Sequence, residues 1–406
     1  MENVKRNFIA FVWHGFWLAL AQTFAERNTI LPALVLKVGG TKTTLGILTS
    51  VVIGVPLLAQ LIFAGYLNTK PRKKKFLILG ILLRVSAFAG LSFTVFYSNH
   101  SSSEIILTFI FILMLIFSVS GAFAGVSYTD IVGKSMDTPT RKKFLVVRQF
   151  IGGIGLLISA LTARQLLKSF DYPNNYALLF GIAAILLFIA SFGFMAIKEK
   201  PSEIEQRHNS IFDILRSVPG ILKKDTNFRT FIIIVNLTGF ALTIIPFYIA
   251  LGKTAYEIGE RQVGNLLLIQ ITGMILSNIF WSKFVHTKGY KNVLKTFIFL
   301  QITLPILYLL VTNHLSFLYY NILFFIVGLS ISAQKISIEG ILYEITTEAN
   351  RALYSGVYGA LSLTISLFPL ISGLLLNLLG YSPILLGVSF IVLLSTLFVK
   401  KLSISV

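Results

Sequence analysis

Two apolar stretches carry acids and bases at spacings that could bind a solute or a proton. Gln22 and Glu26 stand one helical turn apart, with Arg27 and Asn28 directly after them. Adjacent helical residues point about 100° apart, so Glu26 and Arg27 do not face one spot. Two readings are open: a substrate or proton site, or an ion pair fastening this helix to a neighbour. In the second stretch Lys335 and Glu339 are four residues apart, with Gln334 beside them. That spacing lets them pair, either as a neutralised structural unit or as a coupling group. Glu26 is the expected proton carrier, and Glu339 the structural or substrate-orienting charge. Two further cations lie in apolar runs. Arg84, about two turns beyond Lys70–Lys75, is expected to reach back to the membrane surface. Arg148 is expected to face a loop or a phosphate.

Other chemistries are absent from the sequence. With no Cys there is no disulfide, thiolate metal site or cysteine nucleophile. Five scattered His form no metal-ligand spacing, and no cofactor is expected. Gly152, Gly153 and Gly155 lie in an apolar run without Gly-Lys-Ser/Thr, so they read as close helix packing rather than a phosphate loop.

The elements that position these groups are set by composition. Of 406 residues, 55 % are hydrophobic and only 13 % charged, too few charges to cover a soluble surface. Mean hydropathy is +0.81, so lipid is the solvent over most of the outside. Spanning helices need about 20 apolar residues. Such runs fall at 8–36, 43–66, 76–97, 105–129, 144–167, 176–197, 228–251, 262–282, 293–311, 317–340, 353–378 and 383–399. The expectation is an all-α integral membrane protein of twelve transmembrane helices. Pro32 predicts an opening in the first, and Pro246 a bend in the seventh. Ala19-Leu20-Ala21 resembles a signal-peptidase site, but the apolar run continues to Leu36, so an uncleaved helix is expected.

The net charge of +19 follows the membrane sides. Placing both termini inside puts 25 Lys and Arg on inner segments and 6 outside, with Arg27, Arg84, Arg148 and Lys335 within helices. This is a positive-inside pattern, and it removes the need for a nucleic-acid partner. The expected setting is the cell (plasma or inner) membrane, multi-pass, both termini cytoplasmic. The polar stretch 198–227 divides the chain into bundles 1–197 and 228–406. Ile211, Leu215, Val218 and Leu222 predict an amphipathic helix in that linker, a surface-packed one, weakened at Pro219-Gly220.

Two six-helix bundles joined by a long inner linker resemble the major facilitator superfamily, and the loops strengthen the likeness. Gly65-Tyr66-Leu67, Lys70, Lys73, Lys74 and Leu77 follow the signature after the second helix, with Thr69 at its acid position. Ser282, Phe284, His286, Gly289, Lys291 and Leu294 form a fainter second copy, with His286 in place of the acid. Asp130 and Arg141 in one half, and Glu344 and Arg351 in the other, form a weak repeat. The resemblance implies a secondary transporter working by alternating access on a small-molecule substrate, as a monomer, with a proton as the default coupling ion. It makes Gly65, Lys70, Lys73, Asp130, Arg141, Gly289, Glu344 and Arg351 gating-loop residues. It also adds Asn236, Thr243, Tyr248, Gln270, Asn278, Tyr358 and Ser362 to the substrate-lining candidates. No enzyme constellation competes. The alternative is a scaffold or sensor that kept the fold without transporting, since fold does not imply function.

Overall fold

Where lipid is the solvent, every backbone N–H and C=O must be satisfied within the chain, and long apolar runs satisfy it as helices. The computed structural model describes residues 2–201, 211–347 and 350–403, and no strand occurs among them. The first helices are α1 (Glu2–Thr23), α2 (Ile30–Lys37), α3 (Lys42–Asn68) and α4 (Lys74–Phe96), then α5 (Ser103–Ser135), α6 (Thr138–Ser169) and α7 (Asn174–Ala196). After them come α8 (Ile211–Lys224), α9 (Thr226–Thr243), α10 (Ile245–Tyr256), α11 (Glu260–Lys288) and α12 (Tyr290–His314). The last are α13 (Phe317–Ile345), α14 (Arg351–Leu361), α15 (Leu363–Leu379) and α16 (Tyr381–Val399).

Among the described residues, eleven stretches are long and apolar enough to cross a membrane. The first sequence segment is not among them. It is divided at Phe24–Thr29 into helices of 22 and 8 residues. Pro32 sits in the first turn of α2, where a missing N–H costs nothing. The segment expected at 228–251 is interrupted at Ile244, two residues before Pro246, and the one at 353–378 at Ser362. The linker helix α8 runs through Pro219-Gly220. Val218, Ile221 and Leu222 pack it on the apolar core beneath, which outweighs one lost backbone bond.

The chain forms two compact units. Unit 1 comprises Met1–Leu34 and Val51–Ser210, and unit 2 comprises Val35–Ser50 and Ile211–Val406. In unit 1, α1 packs on α6 and α7, and α4 on α5 and α7. In unit 2, α11 packs on α13, and α12 on α13 and α16. Gly328 sets the α11–α13 approach, since a Cβ there would lie 2.1 Å from the Gln270 carbonyl oxygen. Residues 35–50 belong to unit 2 through polar contacts. Lys37 pairs with Glu260 at 3.1 Å, and Thr43 Oγ1 donates to the Gly373 carbonyl at 3.3 Å.

Candidate functional site

The basic ends of four unit 1 helices converge on one ionic knot. Lys73 Nζ meets Asp130 Oδ1 at 2.6 Å, and Lys134 Nζ meets Asp130 Oδ2 and Glu199 Oε1, each at 2.8 Å. The Glu199 carboxylate also accepts the backbone N–H groups of Lys73 (2.6 Å) and Lys74 (2.8 Å), capping α4. Negative charge is favoured at that helix end. Asn7 closes the same end by exchanging two hydrogen bonds with the Lys198 backbone, at 3.0 and 2.9 Å. Thr69 leaves the signature acid missing from its own loop, but Glu199, just past α7, supplies an acid to the turn. Sequence reading missed Lys134 and Glu199 as members. The i,i+4 spacing of Asp130 and Lys134 was the available signal.

The remaining loop residues are dispersed. Arg141 points its guanidinium to the Gly133 carbonyl at 3.5 Å, not to Asp130. Lys70 Nζ lies over the Tyr66 ring at 4.9 Å. Gly289 forms the α11–α12 turn at φ +75°, a conformation that favours glycine. Glu344 is exposed near the end of α13. Gly65 and Arg351 fall on α3 and α14, and their side chains lie outside the described residues.

At the first helix break the Glu26 carboxylate collects three donors. Asn28 N donates at 2.8 Å, Asn28 Nδ2 at 2.9 Å and Thr29 Oγ1 at 3.0 Å. The side chain therefore serves the N-terminus of α2, where unsatisfied N–H groups favour an anion. Asn28 is buried, while Gln22 and Arg27 are exposed. Of the four predicted residues, Glu26 and Asn28 act together.

Arg84 and Arg148 differ from their sequence expectations. Arg84 does not reach the surface: its Cζ lies 4.2 Å from the Phe117 ring centre, and its Nε is buried without an acceptor. Gly121 on α5 makes room for it, an added Cβ there standing 3.6 Å from Nε. Arg148 does not face a loop. Its Cζ lies 5.4 Å from the Tyr128 ring centre, and its Cγ rests against Gly15 of α1. Neither has a carboxylate at ion-pair distance among the described residues. A cation–π contact contributes about 0.5–2 kcal/mol. Placing an Arg at mid-membrane costs about 2.5–3.5 kcal/mol even on the mildest scale. The aromatic faces therefore do not fully offset these two charges.

In unit 2 the predicted lining residues separate into packing and polar groups. Tyr248 is a core residue, 1 % exposed and stacked on Tyr308 with ring centres 3.6 Å apart. Its carbonyl accepts the Tyr320 hydroxyl. Gln270 is buried at the tight α11–α13 crossing. Asn236 bridges α9 to α15 by accepting from Thr364 Oγ1, and Asn278 accepts from Ser332 Oγ. Tyr358 is half-buried with its ring 5.9 Å from Phe231. Thr243 Oγ1 and Ser362 Oγ each turn back to their own helix, donating to Phe240 O at 2.9 Å and Tyr358 O at 2.7 Å. Lys335 and Glu339 do not form the expected pair. Both are exposed on α13 with no contact at ion-pair distance among the described residues. Exposed side chains keep their rotamer freedom, and an i,i+4 spacing alone does not overcome that entropy. Gln334 lies beside them, half-buried, its carbonyl accepting from Ser337 Oγ at 3.2 Å.

An all-helical chain of many apolar spans, interrupted where polar side chains gather, has the architecture of a membrane transport protein. The sequence matches the Major Facilitator Superfamily model over residues 15–332, and the chain belongs to that family. A search of curated proteins gives no match. Solved structures share the fold at low identity. The nucleoside transporter NupG is 16 % identical with a TM-score of 0.67, covering 100 % of both chains. A D-xylose-proton symporter is 14 % identical with a TM-score of 0.73, covering 97 % of each chain. A POT family transporter in complex with 5-aminolevulinic acid is 13 % identical with a TM-score of 0.73, covering 99 % of this chain and 97 % of its own. The protein is a multi-pass helical membrane transporter of the superfamily.

Proposed function

We propose that the protein is a gradient-driven secondary transporter. It carries a small solute by alternating access, coupled to protons, across the cell membrane with both termini cytoplasmic. Family membership supports solute transport. The observation that carries the coupling is the Glu26 carboxylate at the first helix break, holding both donors of Asn28 and the Thr29 hydroxyl. A proton on this carboxyl group turns one of its two acceptor oxygens into a donor, which disturbs the bonds that oxygen accepts. Protonation at Glu26 therefore links to the geometry of the α1–α2 break, which is what coupling a proton to a conformational cycle requires. Glu339 is exposed and unpaired, so its charge is available to orient a solute without stranding Lys335.

Reconstituted liposomes test this with and without an imposed proton gradient. Glu26→Gln should abolish accumulation against a solute gradient while retaining solute exchange, because exchange moves no net proton. Accumulation by Glu26→Gln with an unchanged pH dependence would remove the coupling assignment. Glu339→Gln should weaken apparent solute affinity with the pH dependence intact.

A further inference from the structure

Phe117, Gly121, Gly125 and Tyr128 follow one another on α5 at intervals of four, four and three residues. That spacing sets them along one stripe of the helix. Arg84 from α4 meets the stripe at Phe117 and Gly121, and Arg148 from α6 meets it at Tyr128. Gly121 and Tyr128 are seven residues apart, about 10 Å of helix. Between them Gly125 is exposed, and an added Cβ would find nothing within 4 Å. The Tyr128 hydroxyl is buried and lacks a partner among the described residues, as does Arg84 Nε. His14 approaches Tyr128 with ring centres 6.1 Å apart and lies within electrostatic reach of both guanidinium groups.

Among the described residues, the acids of unit 1 do not answer these cations. Glu26 is held at the helix break, and Asp130 and Glu199 belong to the basic-end knot. Glu2, Glu104, Asp137 and Asp171 stand at or just beyond helix ends. A structural arginine would have an acceptor, and a snorkelling one would have its head group in water. Arg84 has neither. Guanidinium groups offer planar sets of N–H donors matched to carboxylate and phosphate oxygens.

We propose that this face of α5 binds the acidic group of a small organic anion, a carboxylate or a phosphate ester, between Arg84 and Arg148. Gly125 leaves the space it occupies. That this anion is the transported solute rests on the transporter reading, whereas the binding itself does not.

The test uses the full chain in lipid nanodiscs and reads melting temperature at matched ionic strength. The probes are succinate and glycerol 3-phosphate, their uncharged counterparts succinamide and glycerol, and the cation putrescine. At least one anion should raise the melting temperature where the uncharged and cationic probes do not, and which anion does so separates carboxylate from phosphate. Arg84→Gln and Arg148→Gln should each weaken that response at least ten-fold, with partial recovery in the Lys variants. Gly125→Leu should abolish it with both charges in place. Without probe, the Gln variants should melt at or above wild type, since each removes a charge with no carboxylate at ion-pair distance among the described residues. A response to no anion, an equal response to the uncharged counterparts, or a response surviving both Gln substitutions overturns the site. So do Gln variants that melt lower or fail to fold, which makes the arginines structural. Counterflow in liposomes separates the two readings. Uptake of the uncharged or cationic probes alone keeps transport and removes the anion site. Anion binding with no counterflow by any probe keeps the site and removes transport.

Discussion

Unit 1 holds its charges in two regions with opposite fates. At the basic end Lys73 and Lys134 meet Asp130 and Glu199, and Glu199 also caps backbone groups. Deeper in the same unit, Arg84 and Arg148 meet aromatic faces and, among the described residues, no carboxylate at ion-pair distance. The first region uses its charges to tie helix ends together. The second keeps them unspent. Removing one partner from a buried ion network strands the others, whereas removing an unpaired charge relieves a desolvation cost. Equal substitutions should therefore have opposite signs in the two places.

The largest effect is expected at Glu199, whose side chain is only 3 % exposed. Glu199→Gln leaves Lys134 short of an anion and weakens two backbone caps. A loss of about 3 kcal/mol follows from breaking a buried pair, read as a lower melting temperature in detergent. A neutral result there would erase the contrast with Arg84. A second contrast tests packing rather than charge. Gly328→Ala forces α11 and α13 apart at the Gln270 carbonyl, costing about 1–3 kcal/mol. Gly125→Ala enters open space and should stay within about 0.5 kcal/mol of wild type. Similar losses at both would mean that Gly125 is not open. The smallest effect belongs to Asp137, which caps α6 by accepting from Thr140 N at 3.1 Å. The Thr140 hydroxyl first, and this backbone bond second, hold its carboxyl below the usual value of 3.8. Its stabilisation is present above the unfolded value and is lost as pH falls through the folded one. Asp137→Asn should lower the melting temperature slightly at neutral pH, with the difference vanishing below that window.

Apolar runs made the helices legible because lipid leaves the backbone no other way to satisfy its polar groups. The interruptions were partly legible. Pro246 and Pro32 marked two of them, yet the first break begins at Phe24, several residues ahead of its proline. There the Glu26 side chain competes with the helix for the Asn28 N–H, and propensity cannot weigh that contest. At the site, residue type was readable and partnership was not. Lys335 and Glu339 had pairing distance in sequence and remained apart, while Lys73 found Asp130 across 57 positions.

The sequence alone determined the solvent, the helical class and the family resemblance, because these depend on totals and periods along the chain. Only the tertiary structure decided which charges are neutralised. Arg84 could have reached the membrane surface by its position in α4, and Arg148 could have faced a loop. Gly121 opened room for the first, and Gly15 and Tyr128 received the second. Those neighbours come from other helices, consecutive in the case of α5 and remote in the case of α1. Burial and partner choice are properties of several elements meeting, so no single segment encodes them.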